Sequence, residues 1–162
     1  MNHGTLMKVL IIDDDMTDRE IVKRALTRSS ADQFRFAEAT SAENGIELCQ
    51  QWMPDCVLLD FHLPDQDGME TLRCLATERG QPRCAVVMLT AFGGEALAVR
   101  AMKAGAMDYL AKEHILAQDL PMVVKRAVER FRLSEQVELQ RASLEESWWR
   151  YQSLLEAIPH MV

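Results

Sequence analysis

Short apolar runs alternate with amphipathic stretches from residue 8 to about residue 133. The short runs, rich in Val, Ile and Leu and bounded by polar or turn residues, predict strands at Lys8–Asp13, Gln33–Ala37, Cys56–Phe61, Ala85–Thr90 and Asp108–Ala111. Helical periodicity follows each of them, at Thr17–Ser29, Ser41–Trp52, Gly68–Glu78, Glu95–Ala104 and from Leu116 onward. Capping signals agree with these spans. Thr17 with Glu20 reads as a T-x-x-E capping box and Asp67 with Glu70 as a D-x-x-E pairing. Gly105 stands where a helix C′ residue is expected.

Strands alternating with helices imply a parallel sheet covered on both faces. The expected fold is therefore α/β, a flavodoxin-like doubly wound sheet in the order 2-1-3-4-5. Ligands of such sheets bind outside the carboxyl ends of the strands, where the strand order reverses. The first and third strands flank that point, and both end in acids: Asp13, Asp14 and Asp15 after KVLII, and Asp60 after CVLL. Thr90 ends the fourth strand and Lys112 follows the fifth.

The remainder of the chain has a different pattern. From Leu116 to about Ile158 there is one proline, Pro121, and no glycine. Pro121 suits the first turn of a helix. Beyond it a helix of about thirty-five residues, roughly 50 Å long, is predicted. Val123, Val137, Leu144, Tyr151 and Ile158 share one heptad phase, with Leu133 and Leu154 in the other core phase. Arg130, Gln140 and Ser147 interrupt the seam, which predicts a parallel, dimeric coiled coil of moderate stability.

Composition narrows the classes. The 162 residues fit one domain plus an appendage, and 48% hydrophobic content suffices for one core. A net charge of −7 argues against broad attraction to nucleic acid or anionic membrane. No apolar run approaches a membrane span, and MNHGTLMK lacks the apolar stretch of a signal peptide, so a cytoplasmic location is expected. Cys49, Cys56, Cys74 and Cys84 have no C-x-x-C spacing and read as small hydrophobes in or near the core. Of the histidines, only His62 lies near the acids.

Carboxylates brought together repel unless a cation neutralises them. An all-oxygen set suits Mg²⁺, or Mn²⁺, each commonly bound with a phosphoryl group. Asp60 can then act as a nucleophile toward phosphorus. Lys112 offers a point charge to a phosphoryl oxygen, and the Thr90 hydroxyl offers a hydrogen bond. Singly, each residue has a plainer role; acids near helix starts, such as Asp15 and Asp67, are usually caps. The joint placement at four strand ends is what points to phosphoryl chemistry.

The segments VLIIDDD, CVLLDFHLPDQDGME, VVMLTAFG and KAGAMDYLAKE closely resemble the response-regulator receiver domain of two-component signalling, over residues 8 to about 130. By position, the resemblance implies that Asp60 is the phosphoacceptor and that Asp13 and Asp14 are the acid pair for Mg²⁺. The His62 backbone carbonyl becomes a further metal ligand. Thr90 becomes the switch hydroxyl, Tyr109 the aromatic switch residue and Lys112 the site lysine. The implied partner is a histidine kinase or a histidine phosphotransfer protein. In this picture Thr90 moves toward the phosphoryl oxygens, the Phe92-Gly93-Gly94 loop follows, and Tyr109 turns into the vacated space.

The pattern departs from the family at Glu113, where a proline is usual; without proline a cis bond there costs about 2.5–4 kcal/mol, so a trans bond or a changed loop is expected. His62 and Phe92 occupy positions that influence phosphoryl lifetime. A haloacid-dehalogenase-like phosphatase needs a second Asp two residues after the nucleophile, where His62 stands. A flavodoxin-like cofactor binder needs a phosphate-cradling loop, and DDDMTD repels phosphate. A phosphorylation-independent scaffold or dimerisation module is the remaining alternative. The expected organisation is a receiver domain at 1–133, a signalling helix at 134–157, and at 158–162 the beginning of a PAS-like domain, since WWRYQSLLEAIPHMV resembles a PAS lead-in.

Overall fold

In a computed structural model of the chain, residues 6–28 and 33–158 are described. Five parallel strands, β1 (Met7–Ile12), β2 (Phe34–Ala39), β3 (Cys56–Asp60), β4 (Ala85–Thr90) and β5 (Asp108–Ala111), form one sheet in the order β2-β1-β3-β4-β5. The helices are α1 (Met16–Thr27), α2 (Ala42–Trp52), α3 (Gly68–Cys74), α4 (Glu95–Lys103) and α5 (Leu120–Ala157), with a 3-10 turn at Lys112–His114. The order is the expected one. β3 and β4 are buried at every position, as central strands covered on both faces must be.

Right-handed crossovers set which helix covers which face. The chain steps one way along the sheet from β1 to β2 and the other way for every later strand. α1 therefore lies opposite α2, α3 and α4. The core agrees: Leu10, Ile12, Val57, Leu59, Val86 and Met88 cluster with Cys49, Met69, Leu72 and Ala101 from α2, α3 and α4. The alternate residues Val9, Ile11, Leu58, Val87 and Leu89 are also buried and point to the other face.

Several boundaries differ from the sequence reading. α1 begins one residue earlier than expected and is capped by Asp15, whose carboxylate accepts from the Thr17 and Asp18 N–H groups. Thr17 is thus inside the helix, because an anionic acceptor two residues upstream reaches two open N–H groups at once. α3 stops at Cys74 instead of Glu78, and a tight turn follows in which the Gly80 N–H bonds the Thr77 carbonyl, with Gly80 at φ +75°. The last helix starts at Leu120, with Pro121 in its first turn as expected. The peptide bonds of the described residues are all trans, that between Lys112 and Glu113 included.

The chain divides into two compact units, Met1–Arg130 and Phe131–Val162. In the first, Leu120, Val123, Val124, Ala127 and Val128 of α5 are buried. Val123 therefore belongs to this core and not to the expected seam. In the second, Leu133, Val137, Leu144, Trp148, Tyr151, Leu154 and Ile158 are exposed. Residues 159–162, most of the expected PAS beginning, lie outside the described residues. No helix among those described is long and apolar enough to cross a membrane.

Candidate functional site

Strand register builds the site. The pairings Ile12↔Leu59, Asp60↔Leu89 and Thr90↔Ala111 align the carboxyl ends of β1, β3, β4 and β5. Asp13, Asp60, Thr90 and Lys112 therefore meet at one edge. Carboxylate oxygens of Asp13, Asp14 and Asp60 lie within 4.8 Å of one another, a set able to hold a metal ion. Asp13 and Asp60 are buried and Asp14 is exposed, so the cluster opens to solvent on the Asp14 side.

Lys112 joins the acids. Its Nζ is 2.8 Å from Asp13 Oδ2, 2.8 Å from Asp18 Oδ2 and 3.2 Å from Asp60 Oδ1. Burial raises the carboxyl of Asp13 above its ordinary value, against the opposing pull of its hydrogen bond from Lys112. Burial, and then the charge of Asp13, raise Asp60 in the same way, and Lys112 again opposes. For Lys112 burial acts downward, but the hydrogen bonds to Asp13 and Asp18 and the nearby charges outweigh it and hold the ammonium up. One ammonium faces three carboxylates, with Asp14 beside them, which leaves an excess of negative charge. An oxygen-only donor set with that excess fits a hard divalent cation.

The loop after β3 is held by short contacts. The Gly68 N–H bonds the Phe61 carbonyl at 2.7 Å. A side chain at Gly68 would stand 2.8 Å from the Phe61 Cα and 3.1 Å from the Asp60 carbonyl oxygen, so the D-G step is a packing requirement. Asp67 caps α3 through the Glu70 N–H, as expected. Asp65 reaches across to accept from the Ala42 and Glu43 N–H groups at the start of α2. His62 is exposed, with its ring edge-on to Phe61, and its backbone N–H bonds the Asp60 carboxylate.

Thr90 and Tyr109 sit together. The fully buried Thr90 hydroxyl donates to the Phe92 carbonyl at 2.8 Å. A Cβ at Gly93 would fall 1.5 Å from the Tyr109 hydroxyl and 2.8 Å from the Thr90 methyl. The Tyr109 hydroxyl is buried and has no hydrogen-bond partner. The Tyr109 hydroxyl thus lies against Gly93, where the missing side chain makes room for it. Sequence reasoning missed Asp18, Asp65 and the part played by Gly93. Asp18 stands five residues after Asp13, in the first turn of α1, but its partner is 94 positions away and no local pattern marks it.

The comparisons with known proteins agree with this geometry. The family profile described as the response regulator receiver domain matches residues 9–125. A probable chemotaxis protein CheY from Rhizobium etli is 37% identical over 115 residues, covering 69% of this chain and 85% of its own length. Among solved structures, a response regulator receiver domain protein from Clostridium thermocellum is 32% identical with a TM-score of 0.65, covering 78% of this chain and 98% of that one. A putative response regulator from Chloroflexus aurantiacus is 27% identical with a TM-score of 0.66, covering 77% and 99%. With its five-stranded order and the acidic strand ends in register, this chain belongs to the response regulator receiver domain family of two-component signalling.

Proposed function

We propose that Asp60 accepts a phosphoryl group from the phosphohistidine of a partner histidine kinase or phosphotransfer protein. A carboxylate oxygen of Asp60 attacks phosphorus in line; the P–N bond of the donor breaks and the imidazole leaves with the electron pair. The observation that carries this reading is the contact of one lysine ammonium with both Asp60 and Asp13, which places positive charge where the phosphoryl oxygens arrive. Asp13, Asp14 and Asp60, with the His62 backbone carbonyl, would hold Mg²⁺ (or Mn²⁺), which would neutralise the remaining charge.

Thr90 then turns its hydroxyl from the Phe92 carbonyl to a phosphoryl oxygen. That releases the Phe92 end of the loop, Tyr109 turns from beside Gly93 into the space that Thr90 vacates, and the surface of α4 and β5 changes with it. The output is a homodimer through the exposed apolar row of α5, in which residues 134–157 act as a signalling helix. Incubation with Mg²⁺ and acetyl phosphate is expected to add one phosphoryl group to the wild type and none to Asp60→Asn, read by intact-protein mass. Equal modification of both proteins, or of neither, removes the reading.

A further inference from the structure

One carboxylate at the site lysine is not needed by the transfer chemistry. A lysine ammonium has three N–H donors, and three carboxylates stand around this one: Asp13 and Asp18 at 2.8 Å each and Asp60 at 3.2 Å. Two of its donors are thus hydrogen-bonded, and Asp60 stands in ion-pair range of the third, before any phosphoryl oxygen arrives. Asp13 is in the proposed metal set and Asp60 is the acceptor. Asp18 is neither, yet it makes one of the two short contacts.

Its position suits a restraint. Asp18 lies in the first turn of α1, and its backbone N–H bonds the Asp15 cap, so the helix start orients it. Its side chain is 34% exposed, against 2% for Asp13 and 5% for Asp60. A partly solvated carboxylate is the partner that Lys112 can leave at least cost, because water replaces the lost contact. The charge of Asp18 also acts on Asp13, which it raises, and helps to hold the lysine protonated.

Resting on the phosphoacceptor reading above, we propose that Asp18 is a positioning residue that competes with the phosphoryl oxygens on Asp60 for the Lys112 ammonium. It thereby sets how tightly this receiver holds a phosphoryl group. The same negative charge attracts the divalent cation and repels the anionic phosphoryl group, so removing it moves the two affinities in opposite directions. A merely structural role moves both the same way.

The test uses the full chain with beryllofluoride, at saturating Mg²⁺, and with Mg²⁺ alone, both followed by calorimetry. In Asp18→Asn the apparent Kd for beryllofluoride is expected to fall by about 2- to 5-fold, while Mg²⁺ alone binds more weakly. Asp18→Glu, which keeps the charge, is expected to return both values toward wild type. Weakening of both ligands in Asp18→Asn, or beryllofluoride binding unchanged from wild type, overturns the inference alone. Failure of the wild type to bind beryllofluoride overturns the phosphoacceptor reading and this inference with it.

Discussion

At the scale of single residues, the site is built on charge held out of water. Asp13 and Asp60 have carboxyls raised above the ordinary value of 3.8, chiefly by burial. A raised carboxyl contributes stability that is fully present below its unfolded value and is lost as pH rises through its folded value, because the folded state keeps the proton longer. At neutral pH both acids are therefore a cost to the metal-free fold. Asp60→Asn removes one of them and leaves Lys112 paired with Asp13 and Asp18. The variant is expected to be more stable than wild type by about 1 kcal/mol in chelator at neutral pH, a rise in Tm of about 2–4 °C for a chain of this size. The gain is expected to shrink as pH falls toward the unfolded carboxylate value. Thermal unfolding across that pH range checks it, and a lower Tm for Asp60→Asn at neutral pH contradicts it.

At the scale of elements, carboxylates also fasten the loops around the site. Asp15, Asp67 and Asp65 each accept from open N–H groups at a helix start, but only the first two do so for their own helix. Asp65 ties the β3–α3 loop, which follows the proposed acceptor, to the start of α2, where Ser41 already serves the Asn44 N–H. Its carboxyl is lowered by the bonds from Ala42 and Glu43. Its contribution is therefore present above the unfolded value and lost as pH falls through the folded one. Asp65→Ala is expected to cost about 1 kcal/mol at neutral pH, as loss of a helix cap does, and less in acid. Urea unfolding of the two proteins measures the difference; equal midpoints at neutral pH count against the tie. Caps of this kind show why the element reading was accurate in kind and displaced at the ends. The alternation of strands and helices is written in local periodicity, but Asp15 outcompeted the T-x-x-E signal at Thr17, and the turn at Gly80 shortened α3.

At the scale of the whole molecule, the two units differ in what their apolar residues face. The first buries most of its Val, Ile and Leu against the two faces of its sheet. The second leaves Leu133, Val137, Leu144, Tyr151, Leu154 and Ile158 in water, with Trp148 stacked against Tyr151 at 6.0 Å. Such a row on one helix suits a second copy of the same helix. Leu144→Glu places a charge in the middle of it. The wild type is expected to be a dimer by light scattering at micromolar concentration and the variant a monomer with an unchanged receiver fold by circular dichroism. A monomeric wild type, or a dimer that survives the substitution, excludes this surface as the contact.

The sequence by itself determined the fold class, the strand order and the acids, Thr90 and Lys112 at the carboxyl ends of strands. The fold class and the strand-end residues follow from local periodicity and from the rule that parallel sheets place their chemistry at one edge, and the strand order from the likeness to a known fold. The tertiary structure alone decided what those residues touch. Asp18 reaches Lys112 across 94 positions, Asp65 serves a helix 22 and 23 residues upstream, and Val123 joins the core instead of the seam. The Tyr109 hydroxyl is buried beside Gly93, which has no side chain to exclude it. Such contacts depend on register, helix orientation and the space left by neighbours, and no window of sequence contains those quantities.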